Sequence, residues 1–277
     1  MGWRGYRGST CSGWTRLPLL RRQRLSTDPS GHGHWPDAYG RIMLDNVDST
    51  MAEAARRAGD IDRPTWIIAQ TQTAARGRRG RVWQAPAGNL NATLIFKPDA
   101  TPAEAARRSF LAANALFAAL SIYVPAEKLS LKWPNDVLLS GGKVAGILLE
   151  SSGQGGNVDW LSIGVGVNLR HAPQDLADAA FAPVSLTQMG GWEVEPVDFL
   201  TTLADAYATQ EARLAQMGFA RIRQDWLAHA ARLGEVITAR TMREEIIGTF
   251  DTIDDDGNLV LTTGAGPRVI SAADVYF

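Results

Sequence analysis

The sequence predicts an α+β fold, in which a mixed, largely antiparallel sheet with flanking helices precedes a small C-terminal SH3-like β-barrel. Two observations predict this fold. Strand-like and helix-like segments follow one another without the regular alternation of a doubly wound sheet. After Gly234 the pattern changes to short strand-like runs separated by turn residues, which is typical of a small barrel.

Capping-box spacing at Thr50–Glu53 predicts a first helix that ends near Gly59. Buried strand-like runs predict strands over 65–70, 91–97, 129–133, 137–139, 144–150, 160–169, 236–240, 246–253, 259–263 and 268–270. Helical patterns, the first of them opened by Pro102, cover 102–121, 196–217 and 219–231. Ser140-Gly141-Gly142 predicts a hairpin turn between two of the strands.

The first 40 residues differ from the rest of the chain. They are rich in arginine and glycine, carry Asp28 and Asp37 as their only acidic residues, and show no sustained periodicity. Such a segment is typical of a mitochondrial transit peptide, but we favour a disordered tail or a start codon placed too far upstream. We therefore expect an N-terminal extension over 1–40, a catalytic domain over 41–231 and a barrel over 232–277.

Composition argues against several classes of function. The 28 basic residues balance 29 acidic ones, which disfavours a general nucleic-acid binder, and no apolar stretch reaches the roughly 20 residues of a membrane span. The single cysteine, Cys11, excludes an internal disulfide and fits a reducing, cytoplasmic compartment. Two histidines, His171 and His229, are isolated, and no residues have the spacing of metal ligands.

The run Arg76-Gly77-Arg78-Arg79-Gly80-Arg81, followed by Trp83, constrains the function most. Its arginines supply forked donors for carboxylate or phosphate, and its glycines let the backbone approach a ligand closely. Taken alone, the run also fits a nucleic-acid-binding loop or a solvated loop. Four further segments narrow the choice: Asp48-Ser49-Thr50, Lys132-Trp133-Pro134-Asn135-Asp136, Gly142-Lys143-Val144-Ala145-Gly146-Ile147-Leu148 and Gly164-Val165-Gly166-Val167-Asn168-Leu169.

In this order and spacing the segments resemble the bacterial biotin protein ligases, or biotin–[acetyl-CoA-carboxylase] ligases, from about residue 42 onward. The chain departs from the family pattern at Ala75, where the first glycine of the loop is usual, and at Met51, where asparagine is common. The winged helix-turn-helix of the repressor-type members is not recognisable before residue 40. The resemblance therefore implies the monofunctional type, with a class II synthetase-like catalytic domain and no specific DNA binding, and it leaves homodimerisation open.

The resemblance implies a two-step, ATP- and Mg²⁺-dependent reaction. Biotin, the substrate, attacks the α-phosphorus of ATP and becomes biotinyl-5′-AMP. A lysine amine on the biotin carboxyl carrier domain of acetyl-CoA carboxylase or a related carboxylase then takes up the biotinyl group. A lipoate or octanoate ligase or transferase of the same superfamily is the nearest alternative, and a nucleic-acid-binding module is a more distant one.

Carried over residue by residue, the resemblance implies that Lys143, Arg78 and Asp136 are catalytic. The implied biotin-binding residues are Ser49, Thr50, Met51, Gln72, Arg76, Gly77, Arg78, Lys143 and Gly146. The implied nucleotide-binding residues are Arg78, Arg81, Trp83, Lys132, Asn135 and Asn168. Asp136 is the one candidate ligand for Mg²⁺, with general-base assistance to the incoming amine as its alternative role.

Structural alternatives remain open for several of these residues. Ser49 or Thr50 can cap the first helix, and Trp83 can anchor the loop instead of stacking on adenine. Lys132 can meet a phosphate or pair with Asp136. For Arg79 and Arg81, the alternative role is to form surface ion pairs and nothing more.

Overall fold

The computed structural model describes Met1 and residues 34–277, except residues 85, 154–155 and 174–180. Most of the predicted N-terminal extension therefore lies outside the described residues. Two sheets, one of seven strands and one of five, form the framework. In the described part of the chain, no helix has the length and apolar character needed to cross a membrane.

The larger sheet is mixed and largely antiparallel. In chain order its strands are β1 (Gly40–Val47), β2 (Thr65–Gln72), β3 (Leu90–Phe96), β4 (Leu129–Lys132), β5 (Asp136–Leu139), β6 (Gly142–Ser152) and β7 (Trp160–Val167). They lie side by side in the order β1-β2-β3-β7-β6-β5-β4. The first two strands are parallel and the other neighbouring pairs are antiparallel, which confirms the predicted sheet type.

Among the residues that the structure describes, four α-helices accompany the larger sheet. They are α1 (Thr50–Arg57), α2 (Pro102–Ala106), α3 (Arg108–Leu120) and α4 (Pro196–Leu227). The single helix predicted over 102–121 was wrong in one respect, because a turn at Arg107 separates α2 from α3. The break predicted after Met217 is present: Gly218 interrupts α4 with a φ of 72°, a conformation that glycine adopts without strain.

The alanine-rich α3 packs between the sheet and α4. Most of its side chains from Phe110 to Leu120 are buried, and small alanines let the helices approach closely. The large side chains of this core include Trp66, Tyr207 and Trp226, all almost fully buried. This core covers one face of the sheet and makes the sheet rigid. The uncovered face is therefore available for a site.

Strand β1 was not predicted from the sequence. This edge strand alternates partly buried Ile42 and Leu44 with exposed neighbours such as Met43, and it packs on a small cluster that includes Ala54 and Ile67. Because Met43 is apolar and yet faces solvent, the period-2 pattern of the strand is obscured in the sequence.

The C-terminal sheet contains β8 (Val236–Arg240), β9 (Glu245–Ile253), β10 (Leu259–Thr263), β11 (Gly266–Ile270) and β12 (Asp274–Tyr276). These strands are antiparallel in the order β11-β10-β9-β8-β12. The predicted small C-terminal β domain is thereby confirmed, and the short strand β12 is an addition to the four predicted strands.

The turn between β9 and β10 joins the two sheets. Trp133 donates from Nε1 to the carbonyl of Gly257 at 3.0 Å, and Arg107 pairs with Asp256 at 2.9 Å. Gly257 also lies so close to Phe110 that an added Cβ would come within 2.6 Å of the ring. The small domain is therefore in direct contact with the segment that connects β4 to β5.

Candidate active site

A cleft of about 1070 Å³ lies over the face of the larger sheet that α3 does not cover. Its walls come from the start of α1, the Arg/Gly run, the β4–β5 connection and the end of β12. Every residue predicted for the site lines this cleft: Ser49, Thr50, Met51, Gln72, Arg76, Gly77, Arg78, Arg81, Trp83, Lys132, Asn135, Asp136, Lys143, Gly146 and Asn168. Their individual roles remain predictions.

The floor of the cleft contains a row of residues across four adjacent strands. Asp136, Gly146, Gly166 and Asn91 lie opposite one another on β5, β6, β7 and β3. Cross-strand partners point to the same face, so all four positions face the cleft. A Cβ would lie 3.3 Å from the Trp83 ring at Gly146 and 2.6 Å from it at Gly166. The two glycines thus let a flat ring lie directly on the backbone.

One end of this row carries a buried ion cluster. The Nζ atom of Lys143 lies 2.6 Å from Oδ1 of Asp136, and Lys132 donates from Nζ to Oδ2 at 3.4 Å. Burial raises the pKa of Asp136, but the ammonium groups of Lys143 and Lys132 outweigh it and hold the pKa below its usual value. Burial in turn lowers the pKa of Lys132, against the attraction of Asp136. With both lysines charged, the cluster has a net positive charge that suits an anionic ligand.

The backbone fixes Lys143 on both sides. A hairpin turn precedes it, in which Ser140 and Gly141 adopt φ values of 49° and 83°, as a type I′ turn requires. This confirms the predicted hairpin. The amide of Lys143 donates to the carbonyl of Ala182, and its own carbonyl accepts from Val184. Its Nζ lies 5.5 Å from the centre of the Trp83 ring.

A chain of hydroxyl groups lies at the other end of the cleft. Thr93 donates to Oγ1 of Thr50 at 2.8 Å, and Thr50 donates to Oε1 of Gln72 from its backbone at 2.7 Å and from its hydroxyl at 3.2 Å. Ser49 occupies the N-cap position of α1 without a side-chain capping bond, so the capping alternative is not observed. The ordered donors fix the side chain of Gln72 at the rim of the floor.

Met51 takes part in the same wall. It is buried, and a Cβ on Gly164 would come within 2.7 Å of its sulfur. The departure from the family's asparagine therefore fills the space above this glycine with a flexible apolar side chain.

The Arg/Gly run forms a short hairpin and not an irregular loop. Gly77 donates to the carbonyl of Arg81 at 2.7 Å, and Trp83 donates to the carbonyl of Ala75 at 3.0 Å. At the tip, Gly80 has a φ of 71°. Ala75 is not among the described residues with positive φ, so alanine in place of the usual glycine causes no backbone strain.

The outer arginines of this hairpin pair with carboxylates. Arg76 makes two hydrogen bonds to Glu150 of β6, at 3.1 and 2.9 Å. Arg79 and Arg81 share Asp274 of β12, at 2.8 and 2.9 Å. The surface-pair alternative for Arg79 and Arg81 is thus observed, and it ties the hairpin to the C-terminal domain.

Arg78 instead turns toward the cleft. It donates to Oδ1 of Asn135 at 3.4 Å, and Asn135 in turn donates to the carbonyl of Ile147 at 2.6 Å. Burial lowers the pKa of Arg78, against the attraction of Asp274, but the guanidinium remains charged at neutral pH. A charged group held by one long hydrogen bond is ready to bind an anion.

Asn168 is buried, and its amide donates to the carbonyl of Val184 at 3.1 Å. Its backbone amide also donates to the carbonyl of Val144. These contacts hold the segment beside Lys143 in place. A contact with nucleotide remains a prediction for Asn168.

The residues around Asp136 do not fit a Mg²⁺ ion held by the protein alone. In the described part of the chain, no group of three or more His, Cys, Asp or Glu residues could hold a metal ion. Both oxygens of Asp136 are also occupied by lysine ammonium groups. A Mg²⁺ ion that enters with ATP phosphates would keep most of its ligands from phosphate and water.

Several cleft residues were not predicted from the sequence. Asn91 lies inside a strand that was identified only as buried, and Asp274 and Tyr276 come from the far end of the chain. The Gly164-Val165-Gly166 repeat was the one local signal, because glycines in a strand often mark the close approach of a ligand.

Comparison with known proteins places these features in a family. Residues 43–168 match the biotin/lipoate A/B protein ligase family, and residues 233–277 match the biotin protein ligase C terminal domain. A biotin–[acetyl-CoA-carboxylase] ligase of Paracoccus denitrificans is 51% identical over 85% of this chain and 99% of that protein. One of Mycobacterium tuberculosis is 33% identical over 84% of this chain and 87% of that protein.

The fold also agrees with a solved structure. The biotin protein ligase from Aquifex aeolicus in complex with biotin and ATP superimposes with a TM-score of 0.73 at 24% identity. The match covers 85% of this chain and 97% of that one. It supports the arrangement of both sheets.

Proposed function

Since the chain belongs to the biotin–[acetyl-CoA-carboxylase] ligases of the biotin/lipoate A/B protein ligase family, we propose that it activates biotin with ATP and biotinylates a carrier-domain lysine. The observation that carries this proposal is the 51% identity to the Paracoccus ligase over 99% of that protein. The convergence of all the predicted site residues on one cleft supports it.

The first step joins two anions. A carboxylate oxygen of biotin forms a bond to the α-phosphorus of ATP, the bond from that phosphorus to the bridging oxygen breaks, and pyrophosphate leaves. Lys143 on the sheet and Arg78 on the hairpin both line the cleft, so they can hold both anions and stabilise the charge of the transition state. Lys143 serves both partners because its ammonium lies over the floor beside Gly146.

We assign Asp136 a positioning role in place of the two predicted roles. A pKa held low by two lysines makes its carboxylate a weak base, and its occupied oxygens make it a poor metal ligand. Its contacts instead fix the Lys143 ammonium above the floor. The predicted pairing with Lys132 is part of the same cluster.

The remaining residues bind and enclose the substrates. Thr50 and Gln72 lie at the far end of the floor from Lys143, where the polar ring of biotin fits. Trp83 is placed to stack on a flat ligand group above the two floor glycines. We expect the hairpin of arginines to close over the bound ligand and exclude water, which would protect the mixed anhydride from hydrolysis.

In the second step the lysine amine of the carrier domain attacks the acyl carbon of biotinyl-5′-AMP. An amide bond forms, the bond from the acyl carbon to the phosphate oxygen breaks, AMP leaves with its negative charge, and the proton of the amine passes to solvent. Lys143 and Arg78, which both line the cleft, can again stabilise that charge. Mg²⁺ bound with the nucleotide supplies further neutralisation of phosphate charge when it is present.

The proposed partner is the biotin carboxyl carrier domain of acetyl-CoA carboxylase or a related carboxylase. The near balance of charge supports the proposal that the chain does not bind DNA specifically, and the single cysteine supports a reducing, cytoplasmic compartment. Light scattering of the protein used for the assay tests for a homodimer.

Pyrophosphate release from ATP-Mg²⁺ tests the proposal, with biotin, lipoate, octanoate or no acid added. We expect release with biotin alone, followed by a biotin-sized mass gain on an added carrier domain. Release with lipoate or octanoate in place of biotin would instead assign the chain to the lipoate or octanoate ligases. No release with any acid would contradict the ligase proposal.

A further inference from the structure

The cleft floor contains a polar side chain that the proposed mechanism does not use. Asn91 of β3 is 1% exposed and lines the cleft. Among the described residues, neither Oδ1 nor Nδ2 of its amide has a hydrogen-bond partner. Exchanging the oxygen and nitrogen of the amide would not change this, because both atoms are unpaired. A buried amide with two unpaired atoms is costly, so it calls for a partner that arrives from outside the chain.

The side chain of Asn91 faces the ligand space. Asn91 lies opposite Gly166, so both positions point to the face on which Trp83 rests. Two residues along β3, Thr93 points to the same face and donates to Thr50. The amide therefore lies between the Trp83 ring and the hydroxyl chain.

Its place in the row separates Asn91 from the reacting groups. Gly146, beside the Nζ of Lys143, is two strands away from Asn91, which corresponds to about 10 Å at the usual strand spacing. Biotin carries its carboxylate and its cyclic urea at opposite ends of an alkyl arm. A carboxylate that reacts beside Lys143 therefore places the urea at the Asn91 end of the floor.

We propose that Asn91 is a specificity-determining residue that hydrogen-bonds the cyclic urea of biotin, beside Thr50 and Gln72. This inference rests on the proposed function. An amide offers an acceptor and two donors, which match the N–H groups and the carbonyl of a urea. Octanoate and lipoate carry no such group at that end, so either acid would leave the amide unpaired. Asn91 thus favours biotin and disfavours the acids of the sister activity.

Steady-state pyrophosphate release by the wild type and Asn91→Leu tests this assignment with biotin, desthiobiotin and octanoate. Leucine keeps the shape of asparagine without its polar atoms, and desthiobiotin keeps the urea but lacks the sulfur. We expect KM to rise about tenfold or more for both biotin and desthiobiotin, with kcat and the KM for ATP nearly unchanged. Use of octanoate is expected to stay the same or to rise.

Ser162→Ala is the matched control. Its hydroxyl is also fully buried and unpartnered in the described part of the chain, and it lies on β7 of the same sheet but not among the cleft residues. We expect no change in any KM. The thermal midpoint of Asn91→Leu should stay at or above that of the wild type, because the substitution removes an unpaired buried amide. Asn91→Ala replaces it if the leucine variant does not fold.

Other outcomes overturn the proposal in distinct ways. A rise in KM for biotin but not desthiobiotin would assign Asn91 to the sulfur, and a rise for ATP alone would assign it to the nucleotide. Unchanged KM values would mean that Asn91 contacts neither. Calorimetric binding of biotin to both proteins tests the contact without turnover, so a wild type that binds biotin but releases no pyrophosphate would contradict the proposed function and not this inference.

Discussion

The sheet floor and the Arg/Gly hairpin present positive charge to the same cleft, but they hold it in different ways. On the sheet, Lys132 and Lys143 share the buried carboxylate of Asp136. On the hairpin, Arg76 pairs with Glu150 while 42% and 31% of their side chains remain exposed. Removing one partner of a buried pair costs about 3–5 kcal/mol, whereas an exposed pair contributes about 0–1 kcal/mol.

The difference assigns two tasks to two regions. On the sheet, the ion pair with Asp136 fixes the position of the Lys143 ammonium, because the reaction needs a compact positive charge at one point. The hairpin offers forked guanidinium groups whose protein partners can be exchanged for ligand at small cost. The fixed charge of Lys143 therefore serves the reaction, whereas the hairpin arginines close the site and, through Arg78, also contribute to the reaction.

Removal of Lys143 is the strongest test of the fixed charge. Lys143→Ala is expected to slow formation of biotinyl-5′-AMP by about 10²- to 10³-fold, because it removes the ammonium that lies beside Gly146 on the cleft floor. The rate is measured by single-turnover assay. Lys128→Ala, at an exposed position just before β4, is the control and should leave the rate unchanged. A wild-type rate would show that Lys143 takes no part in the reaction.

The second test compares how much the buried ion pairs of Asp136 and an exposed ion pair contribute to stability. Asp136→Asn leaves Lys132 buried without a carboxylate, and we expect the free energy of unfolding to fall by about 3 kcal/mol. Asp256→Asn, which removes an exposed partner of Arg107, should cost less than about 1 kcal/mol. Urea unfolding of the three proteins gives both values. Equal losses in the free energy of unfolding would contradict the expected difference between buried and exposed ion pairs.

The same carboxylate predicts a pH dependence. The folded-state pKa of Asp136 is lowered, so its contribution to stability is present above the unfolded-state pKa and is lost as pH falls through the folded value. Wild-type stability should therefore decline below the usual aspartate pKa of about 3.9. Asp136→Asn should show a shallower decline in urea midpoints between neutral and acidic pH. Parallel curves for the two proteins would contradict the shift.

The third test addresses the exchangeable charges. Arg78→Ala is expected to weaken biotin binding about 10-fold and to release biotinyl-5′-AMP into solution, since Arg78 faces the ligand space. Arg79→Ala should retain the adenylate because Arg79 pairs with Asp274. The fraction of adenylate that passes a protein-retaining filter measures the difference. Equal retention by both variants would mean that the inward arginine has no special task.

The smallest expected effect concerns the link from the hairpin to β12. Asp274→Asn should change stability by less than about 1 kcal/mol, because Arg79 and Arg81 are partly exposed. Asp274→Asn should nevertheless increase the fraction of biotinyl-5′-AMP that is released into solution. Added salt should increase this release from the wild type but hardly from the variant. A variant that leaks no more than the wild type would show that β12 does not hold the hairpin.

The sequence predicted much of the fold and fifteen site residues that all line one cleft, because these residues occur in short segments with distinctive spacing. The turn Ser140-Gly141-Gly142 predicted the hairpin of β5 and β6, which carries Asp136 and Lys143 of the ion cluster. Partners far apart in sequence could not be predicted in the same way. Arg79 meets Asp274 across 195 residues, and no local pattern indicates such a contact.

Asn91 shows a second limit. The sequence around it is a buried strand in which an asparagine looks like a tolerated exception. Only the arrangement of four strands shows that its amide faces a cleft and lacks a partner in the described structure. The missed strand β1 has a different cause, since its exposed Met43 disguises the alternation.

The turn between β9 and β10 has a consequence for how the molecule unfolds. Because Gly257 accepts a hydrogen bond from Trp133 and lies against Phe110, the C-terminal domain shares part of the interior of the catalytic domain. Separation of the two would expose the Trp133 indole beside the lysine cluster. The two domains therefore form one cooperative unit, in which damage to the small sheet lowers the population of the competent active site.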